Sequence, residues 1–328
     1  MKKGFLAVFM ILAAFFAVGC AQDDEKSDIS VALVMSGAKN DGGWNETAYN
    51  GLVQMKEKLG AKTTYIENVK PTSYEQAIRN YAKDGNDVVI AHGAEFGDAI
   101  KAVAEEYPDI QFIVTSTNIT NGKNLSSLNN NYRQAGFLQG AFAAMMSKSG
   151  VVGGIGGMAI PPIANDLAGF EAGAKYVKPS IKVLTAMTGN FDDANAVKEQ
   201  AIAYISQGAD MIMVDADHAG VGGYVAAEEK GIYAIASIAA EYDSYQKSLI
   251  ACATADMSTA IYTAVKRIAD DDFKVGYQLM GLEDDIVGFT YSKYLKDKVP
   301  KDVLDEMDQI ADDLVSGKID LDKLVPEK

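Results

Sequence analysis

The chain has 328 residues, of which 48% are apolar, 9% aromatic and 23% charged, the balance of a globular protein long enough for two domains. Its formal charge is -15, and no cluster of Lys and Arg reverses that sign locally, so a phosphate polymer is repelled and nucleic acid is excluded as a partner. A chain of this size buries enough apolar surface to hold its fold by the core alone.

The first segment, "MKKGFLAVFMILAAFFAVGC", has two lysines, an uncharged apolar run from Gly4 to Gly19, then a cysteine. This is the layout of a secretory signal, so residues 1–19 are expected to be removed and the protein exported. Ala17-Val18-Gly19-Cys20 resembles a bacterial lipobox, although the usual pattern has Leu where this chain has Ala17. That resemblance implies a lipid on Cys20, with residues 20–28 as a polar tether to the cell membrane on its extracytoplasmic side. A plain membrane anchor is the alternative, but the apolar run is shorter than the roughly 20 residues a spanning helix needs. Cleavage removes Lys2 and Lys3 and no acid, so the mature domain is more acidic still. With Cys20 lipidated, Cys252 is the sole free thiol, which rules out an intrachain disulfide.

Along the rest of the chain, short apolar runs alternate with helical patterns. Strands are predicted at 29–37, 62–68, 87–93, 111–117, 125–131, 151–157, 181–188, 210–216, 232–238 and 249–254. Most are apolar runs without polar alternation, as in parallel strands buried on both faces. In the first helix Trp44, Ala48, Leu52, Met55 and Leu59 form one apolar stripe, and Gly60 ends it. Further helices are predicted near 74–83, 96–107, 132–147, 163–177, 193–207, 219–230, 256–270 and 301–315. Such βα alternation gives open parallel sheets with helices on both faces. Ten strands are too many for one ordinary open sheet and fit two of five or six. The polar, turn-rich stretch 118–134 marks a passage between two α/β lobes. A ligand cleft is expected between them, where the carboxyl ends of the strands meet.

Several segments, in order, carry a specific resemblance. They are "GAKNDGGWNETAYNGL", "AHGAEFGDAIKAVAEEYPDIQFIVTS", "YRQAGFLQGAFAAMMSKSGVVGGIGGM", "GFEAGAKYVKP" and "QGADMIMVDADHAGVGGYVAAEEKGIYAI". Together with the lipobox they resemble the basic-membrane-protein family of bacterial substrate-binding lipoproteins. The resemblance implies the type I periplasmic-binding-protein fold, two doubly wound parallel-sheet lobes with a three-strand hinge. It places residues 29–127 and 252–283 in the first lobe and 128–251 and 284–328 in the second. It also implies a monomer that captures a small molecule, for most characterised members a purine nucleoside or base, and passes it to ABC permease and ATPase subunits. No cofactor is implied.

The same resemblance nominates the site. After the first strand, Asp41, Trp44 and Asn45 fall where the family contacts its ligand, with Gly42 and Gly43 allowing close approach. An indole face offers about 1–3 kcal/mol of stacking to a heteroaromatic base, and a carboxylate accepts from base N–H or ribose O–H groups. Asp41 would repel a phosphate, so the ligand is expected to be neutral. The plainer reading is that Trp44 staples its helix to the core and Asp41 caps it. "HGAEFGDAI" repeats the design: Gly93 for backbone approach, Phe96 for stacking, and Glu95 or Asp98 as cap or contact. In the second lobe Phe170, Phe191 and the strand-end Asp215 are nominated, although Phe170 is equally suited to a core. Nucleoside-binding members carry a "G-x-D-x-D-Q"-like stretch and a later lysine. Here those places hold "IASIAAEYDS" and "CATADMSTAIY", so Glu241 with Asp243 and then Asp256 stand in, and the ribose contacts are open. The tryptophan is closer to members that take free bases.

Other chemistries fare poorly. Asp215, Asp217 and His218 match no standard metal spacing, and "VVGGIGGM" lacks the dinucleotide register and its acid. No nucleophile elbow or His/Asp constellation supports a nucleoside hydrolase, so the protein is not expected to be an enzyme. A ligand-sensing partner of a signalling receptor, or a binder of another small polar solute, remains as an alternative that shares the fold.

Overall fold

The computed structural model describes residues 28–41, 44–238 and 242–325. The predicted signal peptide, Cys20, Gly42, Gly43 and Glu241 lie outside the described residues. In chain order the first elements are β1 (Ser30–Met35), α1 (Trp44–Gln54), β2 (Lys62–Ile66), α2 (Tyr74–Lys83), β3 (Val88–His92), α3 (Gly97–Glu106), β4 (Gln111–Thr115) and β5 (Leu125–Asn130). Next come α4 (Tyr132–Met146), β6 (Val151–Gly156), α5 (Pro161–Val177), β7 (Lys182–Met187), α6 (Ala194–Ser206), β8 (Met211–Asp215), α7 (Val221–Lys230) and β9 (Tyr233–Ile238). The chain continues with β10 (Leu249–Ala255), α8 (Met257–Ala269), β11 (Tyr277–Met280), β12 (Val287–Tyr291), α9 (Lys301–Val315) and α10 (Leu321–Leu324).

The strands form two six-stranded sheets, ordered β11-β5-β4-β3-β1-β2 and β12-β10-β9-β8-β6-β7. Every pairing in the first is parallel; in the second only β12 runs antiparallel, against β10. The central strands β1 and β3 are buried almost throughout because helices cover both faces: α1 and α8 on one, α2 and α3 on the other. The second sheet is likewise wrapped, by α4, α5 and α9 on one face and α6 and α7 on the other. The edge strands β2 and β7 are only partly covered. Helices α4 and α5 approach until backbones touch, and a Cβ at Gly140 would sit 1.9 Å from the Phe170 carbonyl oxygen. This is the packing behind the small-residue spacing of both helices.

The chain passes between the sheets after β5, after β10, and between β11 and β12. Because β5 runs to Asn130 and β10 to Ala255, two of these passages fall a few residues beyond the expected breaks at 128 and 252. Each strand keeps its ladder hydrogen bonds to its end, and the chain leaves only where they stop. The passages are laced together. Asn131 N–H donates to the Met280 carbonyl at 2.7 Å, Leu282 N–H to Gln134 Oε1 at 2.9 Å, and Asp256 N–H to the Ile286 carbonyl at 3.0 Å. All three passages begin at carboxyl ends of parallel strands, so the carboxyl edges of the two sheets adjoin there, the place where open α/β sheets hold ligands.

Candidate functional site

At the rim of the first sheet, the turn between β1 and α1 is held by its own side chains. Asp41 accepts from the N–H of Asn45 (3.0 Å), the Asn45 amide (2.8 Å) and the N–H of Glu46 (3.1 Å), which satisfies amide donors at the start of α1. Asn45 is buried and its Oδ1 accepts from Gly37 N–H at 3.2 Å, so it clamps the turn. Trp44 is different. Its indole is 36% exposed and lies on the His92 ring, centroids 4.0 Å apart and planes 25° from parallel.

His92, at the end of β3, explains why the indole is fixed. Its Nε2 lies 3.0 Å from the Trp44 carbonyl oxygen and its Nδ1 3.0 Å from Thr115 Oγ1, which also accepts from Gly93 N–H at 2.9 Å. A carbonyl only accepts, so Nε2 carries the proton and the neutral ring takes the Thr115 hydroxyl at Nδ1. Burial pulls the imidazole down to about 4, against the opposing influence of the Trp44 carbonyl and Asp41. The result is an uncharged platform on which one indole face rests. Beside it, Ser36 donates to Glu95 at 2.7 Å, and Glu95 and Asp98 with Tyr74 line a cavity of about 500 Å³. That volume lies within the usual range of small-molecule sites. Gly93 itself has φ 130°, and a Cβ there would meet the Glu95 carboxylate at 2.2 Å, so the turn requires glycine.

At the rim of the second sheet, Gly157 N–H donates to the Asp215 carbonyl (2.9 Å), Gly189 to Gly157 (3.0 Å) and Ala219 to Phe191 (2.8 Å), joining the turns after β6, β7 and β8. Phe191 is half-buried there, and Met158 and Ile160 are exposed on the same edge. Beneath them is a polar cluster. Ser237 on β9 donates to Asp166 of α5 at 2.9 Å and accepts from Gln139 of α4 at 2.6 Å. Asp166 and the strand-end Asp215 are 1% and 3% exposed. Burial, then the neighbouring Asp215 carboxylate, raise Asp166 well above the usual carboxylate range. Burial pushes Asp215 up to about 6.

Several nominated residues take other roles. Phe96 is fully buried against Tyr74, rings 4.1 Å apart, because the short turn before α3 directs it under α2 and not toward a ligand. Phe170 is fully buried in the core between α5, α4 and β6. Asp256 caps α8: its carboxylate takes Ser258 and Thr259 amides at 2.9 and 3.1 Å and both hydroxyls. Burial works against that charge, yet those donors hold the carboxyl below its usual range. Asp243, the companion of Glu241, is exposed and paired with Lys293 at 2.8 Å. Sequence reasoning missed His92, Thr115, Asp166, Ser237 and Gln139. His92 heads the quoted "HGAEFGDAI", so its place at a strand end next to a ligand turn was the available signal.

Two laced rims on adjoining carboxyl edges, one presenting a fixed indole, define a two-lobed solute-binding protein. Residues 28–319 match the family described as ABC transporter substrate-binding protein PnrA-like, and the chain belongs to it. It is similar to basic membrane protein A2 of Borrelia garinii, 26% identical over 99% of this chain and 96% of that protein. It is also similar to a purine-binding protein of Brucella abortus, 30% identical over 64% of this chain and 60% of that one. Among solved structures, an ABC-transporter solute-binding protein of Conexibacter woesei superimposes with a TM-score of 0.71 at 26% identity, covering 89% and 97% of the two chains. Proteins of this family are extracytoplasmic solute-binding components of ABC transport systems and not enzymes; they work with a small-molecule ligand and a permease. Among the described residues, no helix is long and apolar enough to cross a membrane.

Proposed function

We propose that the protein is a lipoprotein, anchored through Cys20 on the extracytoplasmic face of the cell membrane, that captures a purine base or nucleoside between its lobes for an ABC importer. The observation that carries this reading is the Trp44 indole, exposed at the rim of the first sheet and fixed on a neutral His92. A preformed aromatic face lowers the ordering cost of binding a flat solute. Phe191 and the exposed Met158 supply apolar surface from the second rim, and Asp215 a hydrogen-bonding carboxyl. The acidic rim residues Asp41 and Glu95 disfavour a phosphorylated ligand. The similarity to a purine-binding protein supports the same class.

Calorimetric titration with adenine, guanine, hypoxanthine, adenosine and inosine tests the proposal. Saturable binding of at least one purine is expected, with tighter binding of bases if the departures near Glu241 and Asp256 have removed the ribose contacts. Absence of heat with every member would overturn it.

A further inference from the structure

The acid pair below the second rim is costly to bury, and its surroundings do not neutralise it. Asp166 and Asp215 lie within each other's electrostatic reach, and the titratable groups that bear on them are Tyr132 of α4, Cys252 of β10 and Asp217 after β8. Among the described residues, no basic side chain contributes to the balance of either carboxyl. Two adjacent buried carboxylates cannot both ionise cheaply, so the pair holds a proton.

Gln139 Oε1 is buried beside the pair without a hydrogen-bond partner. Asp166 Oδ1 and Asp215 Oδ2 have no partner but each other's carboxyl, and the amide of Asn130, the last residue of β5, has none but the Tyr132 hydroxyl. Gln139 is fully buried and points into the cluster, since its Nε2 bonds Ser237 Oγ, which in turn donates to Asp166. A buried polar atom left unpaired is costly, and such a cost is retained where a ligand supplies the partner. Asp215 ends β8 at the cleft-facing edge, and Asn130 and Tyr132 flank the first passage between the sheets.

Resting on the reading of the cleft as a purine site, we propose that Asp166 and Asp215 share one proton and read the solute's hydrogen-bonding edge. The ionised carboxyl accepts a ligand N–H and the protonated one donates to the adjacent carbonyl or ring nitrogen. The matching chemistry is a lactam or amidine edge, with a donor beside an acceptor. Near neutral pH the pair holds one proton, and a second proton removes the acceptor, so affinity falls as the pH drops through about 6.

The test uses the full-length protein, hypoxanthine and adenine as probes, and calorimetry between about pH 5 and pH 8. Asp215→Asn is expected to weaken binding about tenfold or more near pH 7 and to flatten the pH profile. Asp166→Asn keeps a donor in place of the carboxylic O–H but cannot share a proton with Asp215, and is expected to weaken binding several-fold and to move the pH at which affinity falls. Its ligand-free melting temperature is expected to be no lower than wild type, because it removes a buried ionisable group. If wild type binds a probe while both variants match its affinity and pH profile, the shared-proton site is wrong and the purine reading stands. If wild type binds neither probe and no other purine, both fall.

Discussion

Removing the titratable ring at His92 gives a stability change whose size and sign follow from the structure. His92 is fully buried, and its pKa falls from 6.5 to about 4 on folding. The unfolded chain therefore binds more protons between those values, and the stability tied to the neutral ring, roughly 3 kcal/mol, is present above 6.5 and lost as pH falls toward 4. The acid pair works in the opposite sense. Asp166 and Asp215 have raised pKa values, so the folded state takes up their protons first and is favoured as pH falls. A wild-type profile alone mixes the two effects. Urea denaturation of wild type and His92→Gln in parallel separates them, because the carboxyl terms cancel in the difference. Wild type is expected to lose roughly 3 kcal/mol relative to the variant between about pH 7 and pH 4. A difference that stays constant across that range would refute the neutral, doubly bonded ring beneath Trp44.

Two further substitutions probe the assignments to core and packing. Phe96→Ala is expected to cost about 3–5 kcal/mol of unfolding free energy, read by denaturant titration, while the folded variant binds purines like wild type; a selective loss of affinity would return Phe96 to the site. Gly140→Ala places a methyl against the Phe170 carbonyl and is expected to destabilise by about 1–3 kcal/mol or more, visible as a lowered melting temperature.

Most of the ten strands from Ser30 to Ala255 are legible in the sequence as apolar runs bounded by turn residues, buried where helices cover both faces, while the more polar β2 and β5 are legible from their place in the βα alternation. The two strands that sequence reading omits are short and lie at sheet edges. β11 is the four residues "YQLM", half exposed at an edge of the first sheet, and β12 begins "VG" and runs antiparallel at an edge of the second. Neither carries the signature of a central parallel strand. In the site, Trp44 is legible because a lone indole after a glycine-rich turn has few structural reasons to be there. Phe96 and Phe170 are not, since a sequence cannot tell which way a ring leaves a turn or a helix. Asp166 reads as one polar residue in a helix; its meaning comes from Asp215, which the fold brings to it from a different element. The family resemblance nominates Asn45 and Asp41 as ligand contacts, yet their hydrogen bonds shape the turn that presents the indole.

The most direct measurement is the titration of wild type and Trp44→Ala with the same purine panel, by calorimetry and, for wild type, by the fluorescence of its single indole. Wild type is expected to bind with a change in Trp44 emission, and Trp44→Ala to bind the same purine weaker by about 1–3 kcal/mol, a loss of roughly 5- to 150-fold. Equal affinity of the two proteins, or binding that leaves the emission unchanged, would contradict a ligand stacked on Trp44.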